Sequence, residues 1–532
     1  MILPFIKKNK FTFLQAILYG IFAGGAASLL LVSIHQSLAI IPIISIKLIS
    51  QFICACFGYV IFYILSDNTL VKLAEKLTAS LRLELSDTIL NAPIAKIEDI
   101  GTSKALTIIQ HDIVNVGRII DATPKAIVDF FIFVGCLTYL AYLSLYIFLL
   151  LLISSGLILT LYFFVNKFIR KKFSVSRKTL TSIYQNIQSL LFGVKELQLS
   201  TPKKSIFYHE HLEKTINNYK NYMINANTTL SFFKRFIEVM LYIIIGAMVF
   251  CLPYFYPKIP LETLSGFILI TLFLIKPLES LLSFIGSLPL FSISMTEITS
   301  FTQKLASLHS PTRQLLLIPP KVTQLEIHSL QYTYYSHEID DAFTLGPIKT
   351  TIQSNQITYI IGGNGSGKTT LGKLLCGLYF PEKGYFKLDQ TVINNDNITW
   401  FRDHFSVIFS DFYLFDHFLD LQNLPQEKVQ HYIDAFHLNH KVTYTDGRFS
   451  TYKLSTGQRK RLALIVAYLQ DRPLYIFDEW ASDQDPEFKQ IFYNEILPDL
   501  KKRNKIVIVI THDDFYFDKA DRILRLRNGK LI

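Results

Sequence analysis

Two different spacings of apolar residues divide the chain. In the first part, unbroken apolar runs of about 20 residues recur, the length a bilayer core demands. They fall near 12–34, 42–65, 124–146, 148–168, 236–255 and 264–285 and predict six membrane-spanning helices. The connections 35–41, 144–147 and 256–263 are short, whereas 66–123 and 169–235 are long, polar and helix-prone. Spans three and four nearly merge, with Ser144 to Ile147 as a tight turn. From about residue 321 the pattern changes. Short runs, Gln356–Ile361, Leu474–Phe477 and Lys505–Ile510, alternate with helical stretches. Near-continuous apolar runs of that length are how buried parallel strands read, so an α/β domain covered on both faces is predicted. Ser310-Pro311-Thr312 and Ile318-Pro319-Pro320 mark a break between the two patterns. The expected organisation is a helical transmembrane domain over 1–310, a linker over 311–320 and an α/β domain over 321–532.

Composition agrees with this division. Of 532 residues, 50% are hydrophobic and 18% charged, and the mean hydropathy is +0.31. A soluble enzyme is less apolar. The net charge of +11 fits either nucleic-acid binding or basic cytoplasmic loops. Its distribution selects the second. The long connections hold Lys72, Lys76, Lys104, Arg118, Lys167, Arg170, Lys171 and Lys172, and the short ones almost nothing except Lys258. This asymmetry puts both termini and both long connections in the cytoplasm. These connections are expected to extend the membrane helices well past the bilayer, so that their tips, near 91–100 and 193–208, reach a cytoplasmic domain. No nucleic-acid motif is present. The five cysteines have no metal or disulfide spacing and read as small packing residues. Lys7, Lys8 and Lys10 precede an apolar run too long for a signal peptide, so none is expected.

The chemistry lies in the second pattern. Gly362-Gly363-Asn364-Gly365-Ser366-Gly367-Lys368-Thr369 fits G-x-x-x-x-G-K-[ST], between a predicted strand, 357–361, and a predicted helix, 369–376. Glycines there let successive backbone N–H groups cradle phosphate oxygens, and the helix N-terminus adds positive charge. Lys368 reaches the β/γ-phosphates and Thr369 offers a hydroxyl to Mg²⁺. Downstream, Leu474-Tyr475-Ile476-Phe477-Asp478-Glu479 is an apolar strand ending in two acids. Asp478 suits Mg²⁺, and Glu479 is placed to polarise the attacking water. Leu454-Ser455-Thr456-Gly457-Gln458-Arg459 precedes a predicted helix over 461–470 and makes a second anion site. One chain does not need two such sites; a dimer in which each chain covers the other's nucleotide does. Thr511-His512 follows a core strand, where the histidine can contact a γ-phosphate. Tyr334 is a candidate for stacking on adenine.

Together these residues resemble the nucleotide-binding domain of ABC transporters. GGNGSGKTT corresponds to the Walker A loop, LYIFDE to Walker B, LSTGQ to the signature, Asp485 to the D-loop acid and His512 to the switch histidine. Six spans with two long cytoplasmic connections resemble the exporter-type membrane domain. The resemblance implies ATP binding by Tyr334, Gly362, Asn364, Gly365, Ser366, Gly367, Lys368, Thr369, Thr370, Ser455, Gly457 and Gln458. It implies catalysis by Glu479 and His512, and Mg²⁺ at Thr369 and Asp478. Two positions depart from the family. Ser410 stands where a glutamine reaches Mg²⁺, leaving Ser410, Asp411 or a water to substitute, and Thr456 stands where glycine is usual. With FSDFYLFD and FDEWASDQDPEF, these departures resemble the bacterial branch that exports cyclic peptides and peptide siderophores, pyoverdine and microcin exporters included. The N-terminal protease domain of some peptide exporters is expected to be absent, since the first span begins near residue 12.

The expected function is ATP-driven export of a peptide-like substrate across the bacterial inner membrane. The expected partners are a second copy of the chain, membrane lipid and a periplasmic or outer-membrane export partner. A lipid or glycolipid flippase, or a general drug exporter, shares the architecture. An ATP-sensing regulator is the alternative of another class, opposed by the intact Glu479 and His512. Asp129, Glu238, Lys276 and Glu279 are ionisable groups within or near spans and are candidates for a substrate cavity. Lys276 and Glu279 are also spaced to pair with each other, and Pro277 is expected to kink the sixth span.

Overall fold

The computed structural model describes residues 7–40, 45–251, 254, 260–305, 321–334, 343–415, 424–445 and 447–532. The expected linker, 311–320, and Lys258 lie outside them. The chain divides into two compact units, Met1–Ala92 with Lys96–Ser307, and Pro93–Ala95 with Leu308–Ile532.

The first unit is built on long helices: α1 (Lys10–Ile40), α2 (Ile46–Asn91), α3 (Ile113–Leu143), α4 (Leu145–Phe192), α5 (Lys214–Phe250) and α6 (Leu261–Leu305). At about 1.5 Å per residue, the 46 residues of α2 and 48 of α4 reach about 70 Å, over twice a bilayer core. The polar stretches after spans two and four are therefore helix continuations rather than loops. One extended residue, Ser144, separates α3 from α4. Four described stretches are long and apolar enough to cross a membrane: Lys10–Leu38, Ile46–Asn91, Thr102–Leu143 and Leu261–Leu305. The fourth and fifth expected spans sit in α4 and α5, which fall outside that set. The end of the fifth, at 252, 253 and 255, and much of the connection after it, 256–259, are not among the described residues.

Small residues bring these helices close. Ala23 and Ala27 of α1 pack with Val128, Ile132 and Cys136 of α3 and with Phe267, Ile270 and Leu274 of α6. A Cβ at Gly24 would collide with Phe131. Close backbone approach between small residues is the usual basis of helix packing in lipid. Conversely, α2 leaves Phe57, Ile61 and Ile64 exposed, an apolar surface suited to acyl chains. Further along, a π-helical turn, Ile108–Asp112, places Asp112 inside the unit. Arg177 of α4 donates from Nε to Asp112 Oδ1 (2.9 Å) and pairs with its second oxygen. Ser294 of α6 donates to the same carboxylate (2.9 Å). Asp112 is fully buried and Arg177 nearly so, so each charge depends on the other.

The second unit has two sheets. Strands β1 (Gln324–Tyr334), β2 (Phe343–Gln353), β4 (Lys383–Leu388) and β5 (Thr391–Val392) form an antiparallel sheet in the order β2-β1-β4-β5. Strands β3 (Gln356–Gly362), β6 (Phe405–Ile408), β9 (Leu474–Asp478), β10 (Ile506–Ile510), β11 (Arg522–Arg527) and β12 (Lys530–Leu531) form the main sheet, ordered β12-β11-β3-β10-β9-β6. The small pair β7 (Tyr444–Thr445) and β8 (Arg448–Phe449) stands apart. In β10, Ile506, Ile508 and Ile510 enter one core while Val507 and Val509 enter the other. Both faces of the sheet are thus buried, which is why these strands read as continuous apolar runs. Two helices bear on the site, α7 (Lys368–Leu375) and α8 (Thr456–Gln470).

Candidate functional site

Strand register assembles the nucleotide motifs. Ile510 lies beside Ile360 on one side and Asp478 on the other, and Ile408 lies beside Phe477. Four parallel strands therefore end level. The phosphate loop, Ser410, Asp478-Glu479 and Thr511-His512 all leave the sheet at its carboxyl edge, where ligands of open α/β sheets bind.

Within the loop, Gly365 (φ +75°) and Gly367 (φ +99°) are left-handed, and Gly367 is the N-cap of α7. A side chain there would be strained, and a Cβ on Gly362 would meet the Leu526 carbonyl. Lys368 Nζ donates to the carbonyls of Gly362 (3.1 Å) and Gly363 (3.0 Å). Burial pushes its amine below the usual lysine range, opposed by the carboxylates of Glu479 and Asp478. Burial raises the Asp478 carboxyl, against a hydrogen bond from Thr369. Ser410 Oγ is 3.5 Å from Asp478 Oδ2, so this departure from the family's glutamine faces the Walker B acid; Asp411 beside it is exposed. His512 Nε2 lies 3.1 Å from Glu479 Oε1. Asn364 and Thr370 lie in the loop and the first turn of α7. Tyr334 ends β1, half exposed, beside Phe343.

The signature does something different. Ser455 is the N-cap of α8, which starts five residues before the helix expected over 461–470. Ser455 Oγ accepts from Gln458 N (3.3 Å), and Gln458 Oε1 accepts from Ser455 N (3.2 Å). This capping box commits the Gln458 side chain to the helix end. Among the described residues, no hydrogen bond joins Ser455 or Gly457 to the phosphate loop of the same chain. Gly457 instead lies so close to the Asp483 carbonyl that a Cβ would collide with it.

In the membrane unit, a cavity of about 1020 Å³ is lined by α2, α3 and α6. Asp129, Lys276 and Glu279 line it; Glu238 is not among the lining residues and pairs with Arg235. Asp129 Oδ2 is buried without a hydrogen-bond partner. Among the described residues no ion pair joins Lys276 to Glu279, so their spacing along the helix serves the cavity wall. Pro277, between them, lies inside the continuous helix α6. Sequence reasoning missed Arg118 and Lys125, which add two cations to that wall. It also missed Lys460 in α8, which is buried. The run Arg459-Lys460-Arg461 gives no local signal that its middle member is buried, since three consecutive helical positions span only about 200°.

Known proteins agree with this geometry. Residues 12–278 match the ABC transporter transmembrane region and 345–482 match the ABC transporter domain. The ATP-binding protein SyrD of Pseudomonas syringae pv. syringae is 34% identical over 472 residues, covering 86% of this chain and 82% of that protein. An ATP-dependent lipid A-core flippase of Blochmanniella floridana is 30% identical over 199 residues, 35% of this chain and 34% of the flippase. The solved structure of a bacterial Atm1-family ABC exporter with ATP bound has the same fold, with a TM-score of 0.78 and 15% identity across 98% of this chain and 94% of that one. A membrane region and an ATPase domain are thus fused in one polypeptide. The chain belongs to the ABC transporter family and is a multi-pass, ATP-binding membrane transporter.

Proposed function

We propose that the protein is an ATP-driven exporter of a peptide-like substrate. It acts as a homodimer in the bacterial inner membrane, with six spans per chain and both termini cytoplasmic. The observation that carries the substrate reading is the cavity. Its wall presents Arg118, Lys125 and Lys276 together with Asp129 and Glu279. Ser283 and Ser287 of the same wall donate to backbone carbonyls of Glu279 (2.8 Å) and Phe284 (2.6 Å), leaving their lone pairs to accept. A surface offering both signs of charge and hydroxyl acceptors suits a compact ligand rich in amides, as a cyclic peptide is. A lipid tail needs neither. The matched portion of the lipid A-core flippase spans only a third of that protein, whereas the resemblance to peptide and siderophore exporters rests on FSDFYLFD and FDEWASDQDPEF.

In this reading, Lys368 and the loop amides of one chain hold ATP, and Ser455 and Gly457 of the second close over it. Tyr334 stacks on adenine. Greater affinity for nucleotide in the closed dimer supplies the conformational work. Glu479 accepts a proton from the attacking water, and His512 holds the Glu479 carboxylate. Thr369 and Asp478 would hold Mg²⁺, with Ser410 or Asp411 beside them; the partnerless, buried Asp478 Oδ1 and Ser366 Oγ suit such a site. The ion supplies positive charge to the β/γ-phosphates.

Reconstituted protein in proteoliposomes tests the reading. Cyclic peptides and peptide siderophores are expected to stimulate ATP turnover and to accumulate in inside-out vesicles. Stimulation by lipid alone, with no peptide uptake, overturns it in favour of a flippase; absence of any hydrolysis favours an ATP-sensing regulator.

A further inference from the structure

Lys460 is 1% exposed, yet it is a lysine at the fifth position of a helix whose N-cap belongs to the signature. A buried ammonium needs fixed partners. It finds three, all in the segment after the Walker B strand. Nζ donates to the Glu479 carbonyl (2.8 Å) and to Ser482 Oγ (3.3 Å), and pairs with Asp483 Oδ2 (2.7 Å). The contact is returned: Trp480 Nε1 donates to the Lys460 carbonyl (3.0 Å). Beside it, Gln484 Nε2 donates to the Gly457 carbonyl (3.0 Å), and Arg461 Nε donates to Gln484 Oε1 (2.9 Å) while pairing with Asp485.

Glu479 has reason to need such a hold. Its φ of +48° is left-handed, a conformation unfavourable for a residue with a Cβ and kept only where its surroundings impose it. Its N–H donates to the Ile510 carbonyl (2.9 Å), which ties it to the sheet. Its carbonyl is tied by Ser482 of its own turn (2.6 Å) and, from another element, by Lys460.

We infer that Lys460 is a positioning residue that couples the two nucleotide sites of the dimer, by making the signature helix and the backbone of Glu479 move as one body. This rests on the proposed role of Glu479 and on pairing of two chains. Ser455 and Gly457 face the partner's nucleotide, whereas Glu479 serves the chain's own. When the signature seats on one ATP, Lys460 carries the shift to the base of the other. The short D-loop, Asp483 to Asp485, is clamped against the same helix and cannot absorb the motion.

The test is ATP turnover against ATP concentration, on full-length protein in proteoliposomes. The wild type is expected to give a Hill coefficient above unity. Lys460→Met, which keeps the stem and removes the donor, should lower kcat about tenfold to a hundredfold. Its Hill coefficient should fall to unity, with the affinity for a fluorescent ATP analogue unchanged. Lys460→Gln, which keeps an N–H donor, should recover part of the loss. Asp483→Asn, at a half-exposed position, should lower the Hill coefficient at wild-type melting temperature, and it decides the matter if Lys460→Met does not fold. Wild-type turnover and cooperativity in these variants overturn the inference. So does a wild-type Hill coefficient of unity, or losses in the Met and Gln variants that merely track their melting temperatures. If Glu479→Gln keeps wild-type turnover, the reading of the base fails instead.

Discussion

The segment after the Walker B strand and the membrane cavity treat their charged side chains differently. At the edge of the main sheet, charge is matched between segments 23 to 33 residues apart: Glu479 by His512, Asp483 by Lys460, Asp485 by Arg461. In the membrane cavity, Asp129 keeps one oxygen buried and partnerless, and Lys276 and Glu279 line the wall without pairing to each other. A site that performs the same reaction every cycle gains from groups held in place before the ligand arrives. A site that must bind and release its cargo gains from groups whose partner is the cargo. On the proposed function, the contrast explains how one chain can carry both a recognisable ATP site and a cavity with no sequence motif.

The sharpest way to break this comparison is to remove the proposed base. Glu479→Gln should lower ATP turnover by about 10²–10⁴-fold while ATP still binds, since general-base catalysis contributes about that much; turnover near wild type would remove Glu479 from the role. Next in size is the place where, among the described residues, the membrane unit buries a matched pair. Arg177→Met leaves Asp112 charged and enclosed, and should cost about 3–5 kcal/mol of stability, read as a lower melting temperature in detergent. A double replacement, Arg177→Met with Asp112→Leu, should recover much of it. Asp129→Asn tests the cavity. It should weaken stimulation by a cationic cyclic peptide by about tenfold, the worth of one hydrogen bond to a charged group, and leave basal ATP turnover unchanged. Equal stimulation of both proteins would make Asp129 part of the packing.

The smallest effect is in pH. Burial raises the Asp478 carboxyl above its unfolded range, so the folded state binds its proton more tightly than the unfolded state does. That group favours the nucleotide-free fold below its unfolded pKa, and the contribution is lost as pH rises through the folded value. Asp478→Asn should flatten the stability profile over the pH range just above the ordinary carboxylate pKa. An unchanged slope would mean that another group titrates there.

How much was legible follows from how local each feature is. The phosphate loop, the Walker B strand and the signature are contiguous strings whose glycines, apolar runs and capping residues dictate their own backbone. Their bounds moved by a residue or two, except that α8 begins at Thr456 because Ser455 and Gln458 close a capping box. The long polar connections were legible as helical extensions of the spans past the bilayer, and α2 and α4 do continue unbroken from spans two and four. The cavity was legible only as four ionisable residues. Glu238 left that group because it lies on α5, which contributes no residue to the cavity wall, and it pairs with Arg235 instead. Arg118 and Lys125 joined it, since α3 turns them toward α6.

By itself, then, the sequence determined what short-range physics decides: where the chain is apolar for the width of a bilayer, where it must turn left-handed around a phosphate, and where a strand ends in acids. The tertiary structure alone decided which distant groups meet. Strand register set Ser410, Asp478 and His512 level with the loop. Helix packing buried Asp112 against Arg177 and Ser294, and seated Lys460 under Glu479. Those partners lie from 19 to 182 residues apart, and at such separations no local spacing rule specifies which residues touch.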